Sequence, residues 1–221
     1  TLFRSYRAML GGKSVIRILS EFATKRGEEI GYDNVFDYSL GNPSVPVPEE
    51  FTECMIEMLK NSDPCSLHGY SPSLGIPSVR AAIAASLNER FGMNYGPEHI
   101  FMASGAAGAL AHAYRAVTKP GDEILTFAPY FPEYNPYVNL TGAVLKVVPP
   151  DTESFQINFD AFEEMLGEKV MAVLINTPNN PSGIVYSEET ILRLADILRK
   201  KEQEYGHDIF IISDEPYREI V

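Results

Sequence analysis

Two short runs place reactive side chains where the chain must turn. "NTPNNPSG" (176–183) follows the apolar run "VMAVLI", and "SDEPY" (213–217) follows "DIFII". Asn, Pro, Ser and Gly are the residues of a tight strand-to-helix turn, so Asn179 and Asn180 could simply build one. An amide at the end of a buried strand can equally point at a bound molecule. Asp214 and Tyr217 add a carboxylate acceptor and a phenol that can donate. A lone Asp at such a place is also an ordinary surface or N-cap residue.

Two more runs share this context. "SGAAG" (104–108) opens a helical pattern with small residues, which let backbone amides approach an anion at a helix N-terminus. They also permit close packing of helix on sheet. The run is neither a P-loop nor a GxGxxG motif. "APYFPEY" (128–134) sets aromatic rings after another apolar run, as packing or as a stacking face for a flat ligand.

The elements that would position these residues read as alternating strands and helices. "HIFMAS", "EILTFAP", "VLKVVP", "VMAVLINTP" and "DIFIIS" read as strands, separated by helical stretches. Those stretches include 158–167 and 187–205, the latter with Ser187 as N-cap and Glu188 and Glu189 in its first turn. Near-continuous apolar strands alternating with helices predict a mostly parallel sheet in a three-layer α/β/α arrangement. Ligands in such sheets sit beyond the carboxyl ends of the strands. All four runs fall there. An anion cradle, an aromatic plate, an amide and an Asp/Tyr pair together describe a site for a flat, phosphorylated heteroaromatic ring. Pyridoxal 5'-phosphate has that description.

Before residue 99 the pattern differs. Residues 1 to about 31 read as helical, with Ile16, Leu19 and Ala23 at helical spacing and Gly27 and Gly31 as stops. "FDYSLGNPSVPVP" (36–48) reads as an extended crossing, which places a domain boundary near 45: residues 1–45 as an N-terminal arm and part of a small domain, 46–221 as a large domain. Pro48 opens a helix carrying Phe51, Met55, Met58 and Leu59 on one face. Residues 61–77 read as a loop, and Val79, Ile83, Leu87 and Phe91 mark the helix after it.

The composition, 45% hydrophobic and 22% charged, is that of a globular chain with a sizeable core. A net charge of −12 argues against nucleic acid and anionic membrane partners. The basic run Arg199-Lys200-Lys201 reads as a solvated helix end. Two cysteines, Cys54 and Cys65, make no disulfide framework, and no signal peptide or 18-residue apolar stretch appears. Asn139-Leu140-Thr141 matches a glycosylation acceptor without other support for secretion. The expectation is a cytoplasmic protein with reduced thiols.

"NTPNNPSG" with "SDEPY" about thirty residues later resembles the class I/II aminotransferases, the aspartate aminotransferase superfamily of pyridoxal phosphate enzymes of fold type I. "SVIRILSEFA", "LGNPSVPVP", "GYSPSLGIPSVRAAIA", "SGAAGAL" and "PYFPEY" follow in that family's order. The resemblance implies that Asp214 pairs with the pyridine nitrogen, and that Asn180 and Tyr217 donate to the ring's phenolic oxygen. It implies that Phe131 stacks on the ring, and that Gly105, Ala106 and Ala107 present amides to the phosphate. Tyr70 resembles the tyrosine lent across a dimer interface to the neighbouring subunit's phosphate. Gly41 would line the substrate side together with Asn180, and Asn179 would build the turn.

The family's Schiff-base lysine lies some tens of residues beyond the "DEPY" motif, as do its carboxylate- and phosphate-binding arginines. Lys169, Lys200 and Lys201 precede the motif, and Arg218 is neither arginine. The expectation is therefore the N-terminal part of an aminotransferase that acts on an amino acid and a 2-oxo acid as a homodimer, the large domain being incomplete. A carbon–sulfur lyase or cyclopropane-forming synthase of the same fold would show nearly the same residues. A non-catalytic module that binds the cofactor or dimerises is the other class.

Overall fold

A computed structural model describes residues 15–39, 41 and 45–220 of the chain. It divides into two compact units, Thr1–Tyr70 and Ser71–Val221, so the break expected near residue 45 falls inside the first.

The first unit is helical. Helix α1 runs Val15–Ile30 and stops where Gly31 takes φ 88°, a left-handed conformation that glycine adopts without steric cost. Gly27 lies inside this helix rather than ending it. A Cβ there would meet the Tyr32 ring at 2.4 Å, so glycine is what lets Tyr32 fold back onto the helix. The part of the helical reading before residue 15 lies outside the described residues. Helix α2 spans Glu49–Asn61 after Pro48, as expected. Residues 61–77, expected as a loop, contain a short helix α3, Pro64–His68, whose start is fixed by the Asp63 side chain accepting from the Ser66 amide at 2.7 Å.

The second unit opens with helix α4, Pro77–Phe91, closed by Gly92 at φ 64°. Helix α5 covers Gly105–Val117, followed by β1 (Glu123–Phe127), α6 (Tyr134–Asn139) and β2 (Val144–Val148). Helix α7 (Phe159–Met165), β3 (Val170–Asn176), α8 (Glu188–Tyr205) and β4 (Phe210–Asp214) complete it. The four strands are all parallel in the order β2-β1-β3-β4.

Alternation along the strands sorts side chains into two layers. Val173 and Ile175 of β3 face a core with Phe162 of α7, Leu166 just after it, and Leu194 and Leu198 of α8. Ala172 and Leu174 face the opposite core with Leu110 and Tyr114 of α5 and Tyr134 and Val138 of α6. This is the expected α/β/α sandwich. Leu194, Ile197 and Leu198 are buried, at about 2 kcal/mol each. That exceeds the ~1 kcal/mol of the Ser187 cap, whose hydroxyl accepts from the Thr190 amide at 3.1 Å. Burial, more than capping, holds α8.

"HIFMAS" does not form a strand. Pro97–His99 is a 3-10 turn, and the extended residues after it pair with no strand among the described residues, leaving Phe101 and Met102 exposed. An apolar run needs a ladder partner as well as β propensity. Among the described residues, no helix is long and apolar enough to cross a membrane.

Candidate active site

The strand order reverses beside β1: the chain passes from β1 outward to β2, then returns to add β3 on the other flank. At such a switch the connections leave in opposite directions and open a crevice at the carboxyl edge. The segments leaving β1, β3 and β4 at that edge carry Phe131, Asn180 and Tyr217.

Asn176 organises this edge. It is the last residue of β3, buried, and lies in register with Asp214, the last residue of β4. Its Nδ2 donates to the Asp214 carbonyl at 2.8 Å, and its Oδ1 accepts from the Asn180 amide at 2.7 Å. One side chain therefore fixes the backbone of both segments.

Asn179 and Asn180 have different surroundings. The Asn179 Oδ1 accepts from the Ser182 amide at 3.0 Å and from its hydroxyl at 2.8 Å, while its backbone bonds Gly183 and Ile184. Asn179 closes the turn. The Asn180 side chain is spared this task, and its Nδ2 stands 3.3 Å from the Tyr217 hydroxyl. In the segment after β4, Glu219 is paired with Arg90 of α4, and Arg218 lies over the Phe91 ring at 5.0 Å.

The Asp214 carboxylate accepts a hydrogen bond from the Tyr134 hydroxyl at 2.6 Å. Tyr134 is 1% exposed, and its ring meets Phe131 edge-on at 5.6 Å. Burial, then the bond to Asp214, pushes the Tyr134 phenol far above its ordinary pKa. Tyr114 is also fully buried, and its hydroxyl has no partner among the described residues. Burial, reinforced by the charge of Asp214, raises its pKa too.

Helix α5 returns to β1 through residues 118–122, so it runs against the strands and its N-terminus lies at the carboxyl edge. Ser104 makes no side-chain cap, and the first-turn amides of a helix lack intrahelical acceptors. The Gly105 amide donates to the Ala103 carbonyl at 3.1 Å, with Gly105 at φ 70°. Ala106 and Ala107 are then the first-turn amides left to meet an anion, and both residues are exposed.

Phe131, Asn180, Asp214 and Tyr217 thus join one continuous cluster. Gly105, Ala106 and Ala107 connect to it through α5, whose Leu110 and Tyr114 pack with Tyr134. Tyr70 and Gly41 belong to the other compact unit. Tyr70 is fully exposed, Gly41 is exposed, and the remainder of the "LGNPS" loop lies outside the described residues. Of the lysines, Lys169 precedes β3 at the amino edge, and Lys200 and Lys201 sit on α8. Sequence reasoning passed over Asn176 and Tyr134 as site residues. Their signals were an amide ending an apolar run and a third aromatic in "APYFPEY".

The parallel α/β unit thus carries an amide, a carboxylate, a phenol and an uncapped helix terminus along its carboxyl edge. The family model for "Aminotransferase class I and II" matches residues 33–221, and the chain belongs to that family. It is 33% identical to an aspartate aminotransferase of Thermotoga maritima, over 89% of this chain and 48% of that enzyme. It is also 33% identical to a probable aspartate/prephenate aminotransferase of Aquifex aeolicus, over 85% and 45%. The crystal structure of an amino transferase from Eubacterium rectale superposes with a TM-score of 0.94 at 48% identity, covering 99% of this chain and 55% of that one. The chain spans about half the length of the curated relatives it matches.

The family is dependent on pyridoxal 5'-phosphate. The donor set fits that group. A carboxylate with one oxygen held by Tyr134 suits a protonated ring nitrogen, an amide–phenol pair suits a ring oxygen, and the first turn of α5 suits a phosphate.

Proposed function

We propose that this carboxyl edge holds pyridoxal 5'-phosphate, and that the whole protein is an aminotransferase moving an amino group between an amino acid and a 2-oxo acid. The observation that carries the proposal is the Asn176–Asp214 register, which sets a carboxylate fixed by Tyr134 beside the Asn180–Tyr217 donor pair. When bound, the cofactor supplies a protonated aromatic ring that draws electrons from the substrate's α-carbon.

This chain's own residues would bind and orient. Asp214 would accept a hydrogen bond from the ring nitrogen, its charge favouring the protonated ring. Asn180 and Tyr217 would converge on the ring oxygen as donors. Phe131 would cover one ring face, and the Ala106 and Ala107 amides would meet the phosphate at the positive end of α5, with Gly105 shaping the turn. In the proposed homodimer Tyr70 would reach the partner's phosphate, for which its full exposure leaves it free. Gly41, with Asn180, would line the substrate side. The free Cys54 and Cys65 support a cytoplasmic setting with reduced thiols, and the aminotransferase relatives support a place in amino-acid biosynthesis.

The test is Asp214→Ala in the full-length protein, assayed for transamination with an amino acid and a 2-oxo acid and for retention of cofactor through gel filtration. Both should be lost. Near-normal turnover would remove the carboxylate from the mechanism and with it this assignment.

A further inference from the structure

We propose that Tyr134 is a positioning residue for Asp214, fixing which carboxylate oxygen faces the cofactor ring. This rests on the reading that Asp214 meets the ring nitrogen.

The geometry makes Tyr134 a rigid donor. Its ring is held edge-on by Phe131, lies nearly parallel to Tyr130 at 6.5 Å and 18°, and packs in the core with Val138 and Leu174. Only the hydroxyl rotor is free. The 2.6 Å contact to Asp214 Oδ2 lies in the range of hydrogen bonds from a hydroxyl to a charged acceptor. The Asp214 carbonyl is separately bound by Asn176, so backbone and one oxygen are both fixed. Oδ1 accepts no hydrogen bond from the described residues. It remains for a donor arriving from outside the chain.

The surroundings argue that this restraint matters. Tyr114 and Tyr137 pack in the same core cluster as Tyr134, and the Tyr114 hydroxyl is buried with no partner among the described residues. Asp214 itself is half-buried, but the Tyr134 ring that supplies the donor is 1% exposed and holds its direction. Tyr134 is the side-chain donor that touches it.

The experiment compares Tyr134→Phe, Asp214→Asn and Tyr114→Phe in the full-length protein. The readouts are the dissociation constant for pyridoxal 5'-phosphate and the pH midpoint of the bound cofactor's absorbance. Tyr134→Phe keeps the buried ring. It should weaken cofactor binding about tenfold and move the midpoint by about one pH unit, the size of one lost charge-assisted hydrogen bond. Tyr114→Phe removes a hydroxyl that does not touch Asp214 and should leave the midpoint near wild type. If Asp214→Asn changes both readouts while Tyr134→Phe changes neither, the positioning role is wrong and the site reading stands. If Asp214→Asn changes neither, the site reading itself fails. Equal shifts in both tyrosine variants would reduce the effect to general polarity and overturn the proposal. Should Tyr134→Phe not fold, a slowly exchanging Tyr134 hydroxyl proton in the wild-type NMR spectrum that disappears in Asp214→Asn supports the contact. Its persistence refutes it.

Discussion

Replacing Asn176 by Ala should disturb both arms of the site at once. The side chain makes two hydrogen bonds to backbone groups of different segments, at 2.7 and 2.8 Å. A net worth of about 1 kcal/mol each gives a loss of roughly 2 kcal/mol, moderated because both bonds are only part-buried. Urea unfolding of the full-length protein should be compared in the cofactor-free state, because bound ligand raises apparent stability. Thr126→Val is the matched control. Thr126 is buried in β1, and its hydroxyl donates to the Leu174 carbonyl at 3.1 Å, inside the sheet. Its loss should cost about 1 kcal/mol and leave cofactor affinity unchanged. Asn176→Ala should cost more stability and also weaken cofactor binding, because Asn180 and Asp214 lose their common anchor. Wild-type affinity together with a stability change under about 0.5 kcal/mol would show that the two segments hold themselves, and the reasoning would fail.

Two further outcomes are expected. His207 faces the Asp208 carbonyl at 3.0 Å through Nδ1 and the Glu168 carbonyl at 2.9 Å through Nε2, and only the protonated ring can donate to both. These carbonyls, Asp208 first, raise its pKa above 6.5, so its contribution to stability is full below about pH 6.5 and is lost as pH rises through the native value. Unfolding curves across pH 5.5–8.5 should show a decline that His207→Gln flattens; parallel curves for the two proteins would contradict it. For Tyr70, mixing a Tyr70→Phe subunit with one lacking the cofactor-bearing lysine should restore part of the transaminase activity if the tyrosine serves its neighbour. Failure to do so, with both parents folded and dimeric, would exclude a role across the interface.

Periodicity made legible the elements that carry a long apolar run or an apolar face at regular spacing. Strands β1 and β3 appear as apolar runs because both their faces are covered, whereas β4 reads the same way although Phe210 and Ile211 stay exposed. "HIFMAS" had the same composition, but hydrogen-bonded pairing is a property of two segments, and the apolar content of one does not reveal the other. Helix α3, with five residues, is too short to show a period; its signal was Asp63 before Pro64, a cap in front of a proline suited to a first helical turn. The spacing of Val79, Ile83, Leu87 and Phe91 did mark α4, yet Val79 and Phe91 remain exposed. Spacing reports that a helix has an apolar face and is silent on what that face meets.

The site was legible by residue type and illegible by division of labour. Three asparagines stand within five positions, and a sequence offers no reason why Asn176 should tie two strands, Asn179 close a turn and Asn180 present its amide. The distinction comes from register. Because Ile175 pairs with Ser213 and Asn176 with Asp214, Asn176, Asp214 and Tyr134 share the layer that holds Leu174 and Ile212. A slip of β4 by one residue would set Ser213 against Asn176 and turn the carboxylate toward the other layer, away from Tyr134. The cradle therefore depends on the long-range pairing of β3 with β4 as much as on the motif residues. The covering of Ile212 and Leu174 by α5 and α6 helps to set the direction of Asp214.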